Sequence, residues 1–295
     1  MQKKSETIQG FLLVLPSIIA LAVFIYGFIG WTVRVSVSQW TGLLPNYTWA
    51  GLDNYINLFY DPRFQIDIRN TIIFTTCFVG GSLLLGLLMA TLLDQGIKGE
   101  NFFRSVFLFP MAVSYIVTGV VWRWLLNPAL GTRISGLNLL FQNLHLDFLI
   151  NQWHNTPNWG IAYIAIPAIW QMSGYAMAIY LVGIRSINNE LREAARVDGA
   201  NEIQIYRYII LPILKPVTFS VIIILGHMSL KVFDLIVAVV GKQLPLDVPA
   251  IYMWQATFDG LFFGRGAAIG IILLLSVALL IIPYLQHTLK NEVEL

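Results

Sequence analysis

Long apolar runs alternate with shorter polar stretches along the whole chain. Six runs reach the ~20 helical residues needed to cross about 30 Å of hydrocarbon: Phe11 to Val33, Thr71 to Leu93, Ser105 to Leu125, Trp159 to Ile184, Val217 to Val240 and Gly266 to His287. Between the fourth and fifth runs lies one strongly polar interruption, Arg185 to Lys215, which carries five of the eighteen basic residues and four acids. A stretch this charged sits in water while its flanks sit in lipid. Asn188 and Asn189 can cap a helix that begins near Glu190, and Gly199 is the residue type that ends a helix in a left-handed conformation. Asn201 can cap a second short helix through Tyr206 and Tyr208, with Ile203, Tyr206 and Ile209 available for an apolar face. The pattern therefore predicts a helix-turn-helix at the membrane surface. A second polar segment, Asn127 to Asn158, contains Pro128, Gly131, Gly136 and Pro157 and predicts one short amphipathic helix around Leu137 to Leu144.

Composition turns this pattern into a class. The 295 residues are 57% hydrophobic and 12% charged, with a mean hydropathy of +0.70. A soluble domain could not hide that much apolar surface, so a polytopic, all-α integral membrane protein is expected. A formal charge of +2 is too small to argue for nucleic acid, and the single cysteine, Cys77, falls in an apolar run. Lys3 and Lys4 precede the first run, which is longer than the apolar part of a signal peptide and is read as an uncleaved span. An even number of spans puts both termini on one side. That side, with the loops after spans two and four, holds Lys3, Lys4, Lys98, Arg104, Arg185, Arg192, Arg196, Arg207, Lys215 and Lys290; the other holds Arg34, Arg63, Arg69, Arg123, Arg133, Lys242 and Arg265. The bias places the termini and the polar loop in the cytoplasm.

Chemistry inside the spans is sparse. His227, Lys231 and Asp234 are spaced four and three apart, which on one continuous helix gives one stripe. Charges at the centre of a bilayer cost about 2.5 to 3.5 kcal/mol each, so they should face the bundle interior or a wet cavity. Two readings fit: an ion pair of Lys231 with Asp234 that fixes helix packing, or a polar wall along a translocation path. In the fourth span Gln171, Ser173 and Tyr175 stand beside Trp170, a set suited either to sugar hydroxyls and CH faces or to helix packing. Pro16, Pro110, Pro167 and Pro283 sit near or inside spans and predict kinks. Catalytic patterns are missing: there is no G-x-x-x-x-G-K-[ST], no H-E-x-x-H and no G-x-S-x-G, and the four histidines are scattered.

The polar loop is where a resemblance becomes specific. Glu193-Ala194-Ala195, three residues, Gly199, nine residues, Ile209, one residue, Leu211-Pro212 resembles the EAA loop of the membrane subunits of bacterial binding-protein-dependent ABC importers. Gly51-Leu52-Asp53-Asn54-Tyr55, Asn70-Thr71, Gly99-Glu100-Asn101-Phe102-Phe103-Arg104, Phe233-Asp234, Asp247-Val248-Pro249-Ala250, Tyr252, Phe258 and Gly264 are similar, in order, to the sugar-type (MalF-like) branch. Departures are Ile187-Asn188, where many relatives have Ile-Pro, and Gly241-Lys242-Gln243-Leu244-Pro245 in place of a glycine-rich turn.

The resemblance implies a type I ABC importer permease fold. Residues 1–10 would be a cytoplasmic N-terminus, 11–288 the six-helix domain with its coupling loop at 185–215, and 289–295 a cytoplasmic C-terminus, in a bacterial inner membrane. It implies a second permease subunit, two ATPase subunits and an extracytoplasmic solute-binding protein as partners, with no cofactor in this chain, since ATP and Mg would sit on the ATPase. The solute implied is a sugar, glucoside or polyol. Arg192, Glu193, Ala194, Ala195, Asp198 and Gly199 are the implied coupling residues. Gln171, Tyr175, His227, Lys231 and Asp234 are the candidate pathway residues. An ion-coupled secondary transporter using Lys231 and Asp234 is the alternative of another class; an intramembrane enzyme would need a catalytic cluster that the sequence lacks.

Overall fold

The computed structural model describes residues 2–156 and 158–293. Pro157 of the second polar segment, together with Met1, Glu294 and Leu295 of the two tails, lies outside the described residues, as do the side chains of Lys3, Lys4, His287 and Lys290. The chain opens with α1 (Gln2–Leu21), which passes through a π-helical stretch (Ala22–Gly27) into α2 (Phe28–Ser36). α3 (Asp53–Tyr60) precedes the 33-residue α4 (Pro62–Asp94). α5 (Glu100–Leu108) is followed by a 3-10 turn (Phe109–Ala112) and α6 (Tyr115–Leu125). Next come α7 (Gly136–Asn143) and the long α8 (Gly160–Arg185). The polar loop folds as α9 (Asn189–Val197), α10 (Glu202–Ile205), a π-helical stretch (Tyr206–Ile210) and α11 (Leu211–Ile213). The chain ends with α12 (Lys215–Leu230), α13 (Asp234–Val240), α14 (Pro249–Trp254), a π-helical stretch (Gln255–Asp259) and α15 (Phe263–Val293). Among the described residues the one β feature is an isolated bridge between Ser38 and Trp49.

Among the described residues, four helical segments are long and apolar enough to cross a membrane: Leu13–Ser36, Pro62–Asp94, Gly160–Arg185 and Phe263–Gln286. Two bent pairs bring the number to six if each pair is one span. Glu100–Ala112 meets Tyr115–Leu125 at 98°, and Glu202–Ile213 meets Lys215–Leu230 at 64°. The predicted third span, Ser105 to Leu125, is thus not one rod. Pro110 supplies no N–H to a helix, and Ser114 restarts the chain by accepting from the Val117 amide at 3.3 Å. Of the four prolines expected to kink helices, Pro110 sits at this sharp bend, while Pro16, Pro167 and Pro283 lie inside continuous helices. The predicted second span starts nine residues early, at Pro62 in place of Thr71. Pro62 occupies the first helical position, and Asp61 Oδ1 accepts the Arg63 amide at 2.9 Å, a polar start that hydropathy does not register. The predicted fifth span is interrupted, because α12 ends at Leu230 and α13 begins only at Asp234.

The chain divides into two compact units, Met1–Phe64 with Tyr252–Leu275, and Gln65–Ile251 with Ser276–Leu295. In the first, the rings of Trp40 and Phe263 stack at 4.7 Å. Asn54 Nδ2 donates to the carbonyls of Ser36 and Ser38, both at 2.9 Å, and the Tyr252 hydroxyl donates to Asp61 Oδ2 at 2.6 Å. The second unit has two buried apolar clusters. One gathers Phe74, Phe78, Ile161, Ile164, Leu235 and Val239 from α4, α8 and α13; the other gathers Leu93, Met177, Tyr180, Ile184, Ile205 and Leu214 beside the polar loop. Lipid gives helices little hydrophobic reason to associate, so backbones must approach closely to gain dispersion contacts. Gly119 of α6 lies so near α13 that a Cβ there would overlap Ala238, and a Cβ at Gly174 of α8 would overlap the Phe107 carbonyl. Asn70 is fully buried, and its Nδ2 holds the segment after α13 through the carbonyls of Pro245 at 2.9 Å and Asp247 at 2.8 Å.

Candidate functional site: the polar loop and the recess at the broken helix

The loop folds as its capping residues dictate. Asn188 Oδ1 accepts the Glu190 amide at 3.0 Å and starts α9, Gly199 takes φ +87°, and Asn201 forms a reciprocal capping box with Gln204 at the start of α10. Glu193, Ala194, Asp198 and Gly199 are exposed, together with the apolar side chains of Val197 and Ile203, while Ala195 packs on the buried cluster beneath. Arg196 Nε and Glu202 Oε1 are 2.8 Å apart across the turn, an exposed pair. The hydrogen bond from Arg196 holds the Glu202 carboxyl below its ordinary range. At the loop's beginning Arg185 meets Glu100 at 2.8 Å, and this hydrogen bond likewise lowers the Glu100 carboxyl.

Arg192 points the other way, inward. Its Nη1 lies 2.7 Å from Asp94 Oδ2 at the end of α4, and its Nη2 donates to the Ile184 carbonyl at 3.0 Å near the end of α8. The Tyr206 hydroxyl donates to the same Asp94 oxygen at 2.7 Å. Burial first, and then the bond to the Asp94 carboxylate, raises the Tyr206 phenol well above its ordinary value. Tyr206, expected on an apolar face, turns its hydroxyl to Asp94, a residue that no motif in the sequence marks. Its signal was faint: a lone acid closing an apolar run.

The break between α12 and α13 opens a recess of about 180 Å³. Phe74, Phe78, Tyr115, Ser229, Lys231 and Asp234 are among its lining residues. His227, Lys231 and Asp234 therefore do not form a stripe on one helix. Lys231 and Asp234 are exposed, and no ion pair joins them among the described residues. The predicted mutual neutralisation is corrected by the backbone, which leaves helical geometry at Lys231 (φ −115°, ψ 20°) and Phe233 (φ −140°, ψ −63°). Three other candidates lie off the recess. Gln171 is buried and its Nε2 donates to the Val113 carbonyl, freed by the bend before α6; Tyr175 is half-buried against the first apolar cluster, and His227 is half-buried on α12. At the opposite end of this unit from the polar loop, Arg123, Asn127, His154 and Gln243 line a polar recess of about 450 Å³. Burial, with Arg123 nearby, pushes the His154 imidazole down.

Apolar helices of spanning length, two broken spans and a capped helix-turn-helix between the fourth and fifth define a transporter's membrane subunit. The chain belongs to the family of binding-protein-dependent transport system inner membrane components, whose pattern it matches over residues 82–293. A Pyrococcus horikoshii protein described as a probable ABC transporter permease is 41% identical over 95% of this chain and 96% of its own. The xylose/arabinose import permease protein XacH of Haloferax volcanii is 33% identical over 92% of this chain and 86% of its own. Among solved structures, a bacterial ABC transporter involved in import of the acidic polysaccharide alginate superposes with a TM-score of 0.80 at 20% identity, covering 98% of each chain. A structure of an alginate transporter in complex with an alginate-bound periplasmic protein gives 0.74 at 20% identity over 96% of this chain and 94% of that one. Both show the fold expected, that of a type I importer permease. The family membership also decides between the two classes left open by the sequence: this is a permease subunit of a binding-protein-dependent importer, and nothing supports the ion-coupled alternative.

Proposed function

We propose that this chain imports a sugar, glucoside or polyol delivered by a solute-binding protein, that it pairs with a second permease subunit, and that two ATPase subunits bind ATP and Mg on its cytoplasmic side. The observation that carries this reading is the polar loop: an exposed α9, its left-handed turn and the start of α10 present Glu193, Asp198, Val197 and Ile203 outward, above a buried base. Such a surface suits docking into a groove on another protein. In this reading the loop and both termini are cytoplasmic, Arg192, Glu193, Ala194, Ala195, Asp198 and Gly199 form the coupling element, and the polar recess around Arg123 and His154 faces the binding protein. ATPase closure moves the loops of the two permeases together, and rocking of the helices switches access to the pathway.

Lys231 and Asp234 form the polar wall of that pathway, with the half-buried Tyr115 offering an aromatic face to sugar CH surfaces above the buried Phe74 and Phe78. Gln171, Tyr175 and His227 then act by holding helices in place. The pentose importer among the relatives supports a carbohydrate-type solute. The test is a mild-detergent pull-down of this chain from its native membrane, with co-purifying proteins identified by mass spectrometry. A P-loop ATPase and a second permease are expected; recovery of the chain alone as a transport-competent species would overturn the proposal.

A further inference from the structure

One carboxylate gathers both arms of the polar loop. Asp94 closes α4, and its side chain is 7% exposed; Arg192 from α9 reaches it at 2.7 Å with a side chain 13% exposed. Tyr206, after α10, donates to the same oxygen from the other side of the turn at 2.7 Å. The second nitrogen of Arg192 simultaneously holds the Ile184 carbonyl at the end of α8. Contacts of this kind differ from the rest of the loop's ion pairs. Arg196–Glu202 joins the loop to itself and is about half exposed at each end, and Arg185–Glu100 is 42% and 24% exposed. Exposed pairs hold geometry weakly, whereas a charge withdrawn from water and bonded on two sides fixes it, since any displacement leaves a buried charge unpaired.

We propose that Asp94 is a positioning residue for transport: the pivot through which both arms of the coupling loop move α4 and α8 as one body. This rests on the coupling role proposed above for the loop. A push on the exposed face of α9 passes through Arg192 to Asp94, and a push on α10 passes through Tyr206 to the same atom. α4 then carries Phe74 and Phe78 and α8 carries Ala168, all three on the lining of the recess. Without the pivot, the loop would swing on its own caps while the recess stayed still.

The test uses the intact complex co-purified with this chain and reconstituted in liposomes, in a Cys77→Ser background with Val232→Cys as a reporter at the recess. The probe is a membrane-impermeant charged maleimide, and its labelling rate is read with and without ATP plus vanadate, beside ATP hydrolysis. In Asp94→Asn, hydrolysis should stay within about twofold while the ATP-dependent change in labelling shrinks about fivefold or more. Asp94→Glu should restore part of the change, and Thr91→Val, a half-buried site one turn away whose hydroxyl donates to the Leu88 carbonyl of the same helix, should leave it intact. A full ATP-dependent change in Asp94→Asn overturns the proposal. If Asp94→Asn fails to assemble, Tyr206→Phe decides, because it removes one oxygen and leaves the ring: a reduced change supports the pivot, and an unaltered one overturns it. An unsubstituted complex that carries no ATPase, or whose reporter never responds to ATP, would instead refute the coupling reading beneath it.

Discussion

Gly199 holds φ +87°, a conformation that costs an L-residue about 1–2 kcal/mol and a β-branched one more. No neighbour lies within 4 Å of a Cβ built there, so a substitution strains the backbone without a clash. Gly199→Val should therefore reach the membrane at normal levels while ATP-dependent uptake falls severalfold; unchanged uptake at equal protein level would count against the role given to the turn. This residue was legible because its cause is local. Asn188, Gly199 and Asn201 announce caps and a turn through spacings of a few residues, and all three do in the structure what their types suggest. Asn54 and Asn70 carried part of the family resemblance, but only the structure gives the reason, which is that each brackets two backbone carbonyls. Asp94 was illegible for the opposite cause. Its partners lie 98 and 112 positions along the chain, and no local pattern announces a pairing of that length. Gln171 is open in the sequence to two readings, a sugar contact or a satisfied amide in helix packing; its partner, the Val113 carbonyl, is available because a helix bends 58 positions away.

At the scale of elements, hydropathy found where apolar helices run and missed where they break. An apolar run reads the same whether its backbone is one rod or two, so the 98° bend before α6 and the interruption between α12 and α13 left no trace in periodicity. The bend has a local cause in Pro110 and the Ser114 cap, whereas the place that α13 takes after its interruption follows from tertiary packing. α13 turns to lie against α6, and Gly119 is the contact that allows it. Gly119→Val would force the two backbones apart and should cost about 1–3 kcal/mol, the range for overpacking. The measurement is thermal unfolding of the purified protein in detergent. Gly80→Ala in α4 is the contrasting case: a Cβ there meets nothing within 4 Å, and with Ala the better helix former it should leave stability unchanged or raise it by up to about 1 kcal/mol. Equal losses from both would mean that the close approach of α6 and α13 is not what holds the recess in shape.

For the molecule as a whole, composition alone points to a membrane protein, and the spacing of one loop points to its family. The solute was not legible, since sugar recognition rests on a few hydrogen bonds whose geometry depends on where helices break. If import is ATP-driven, sealed vesicles holding the assembled complex should accumulate pentose or glucoside tracer on ATP addition with ion gradients collapsed by an uncoupler. Accumulation that instead tracks a proton gradient would refute ATP coupling. The break at Lys231 also bears on biogenesis. At 1.5 Å per residue the 16-residue α12 is about 24 Å long, short of a bilayer core, and the seven-residue α13 is far shorter. With Lys231 between them and Asp234 opening α13, each adding about 2.5–3.5 kcal/mol at mid-membrane, this segment is a poor client for lateral release from a translocon on its own. α6 and α8 precede it in the chain and have left the ribosome first. α12 and α13 are therefore expected to insert against the surface that α6 and α8 have already built, and the order of synthesis becomes part of how the sequence encodes the fold.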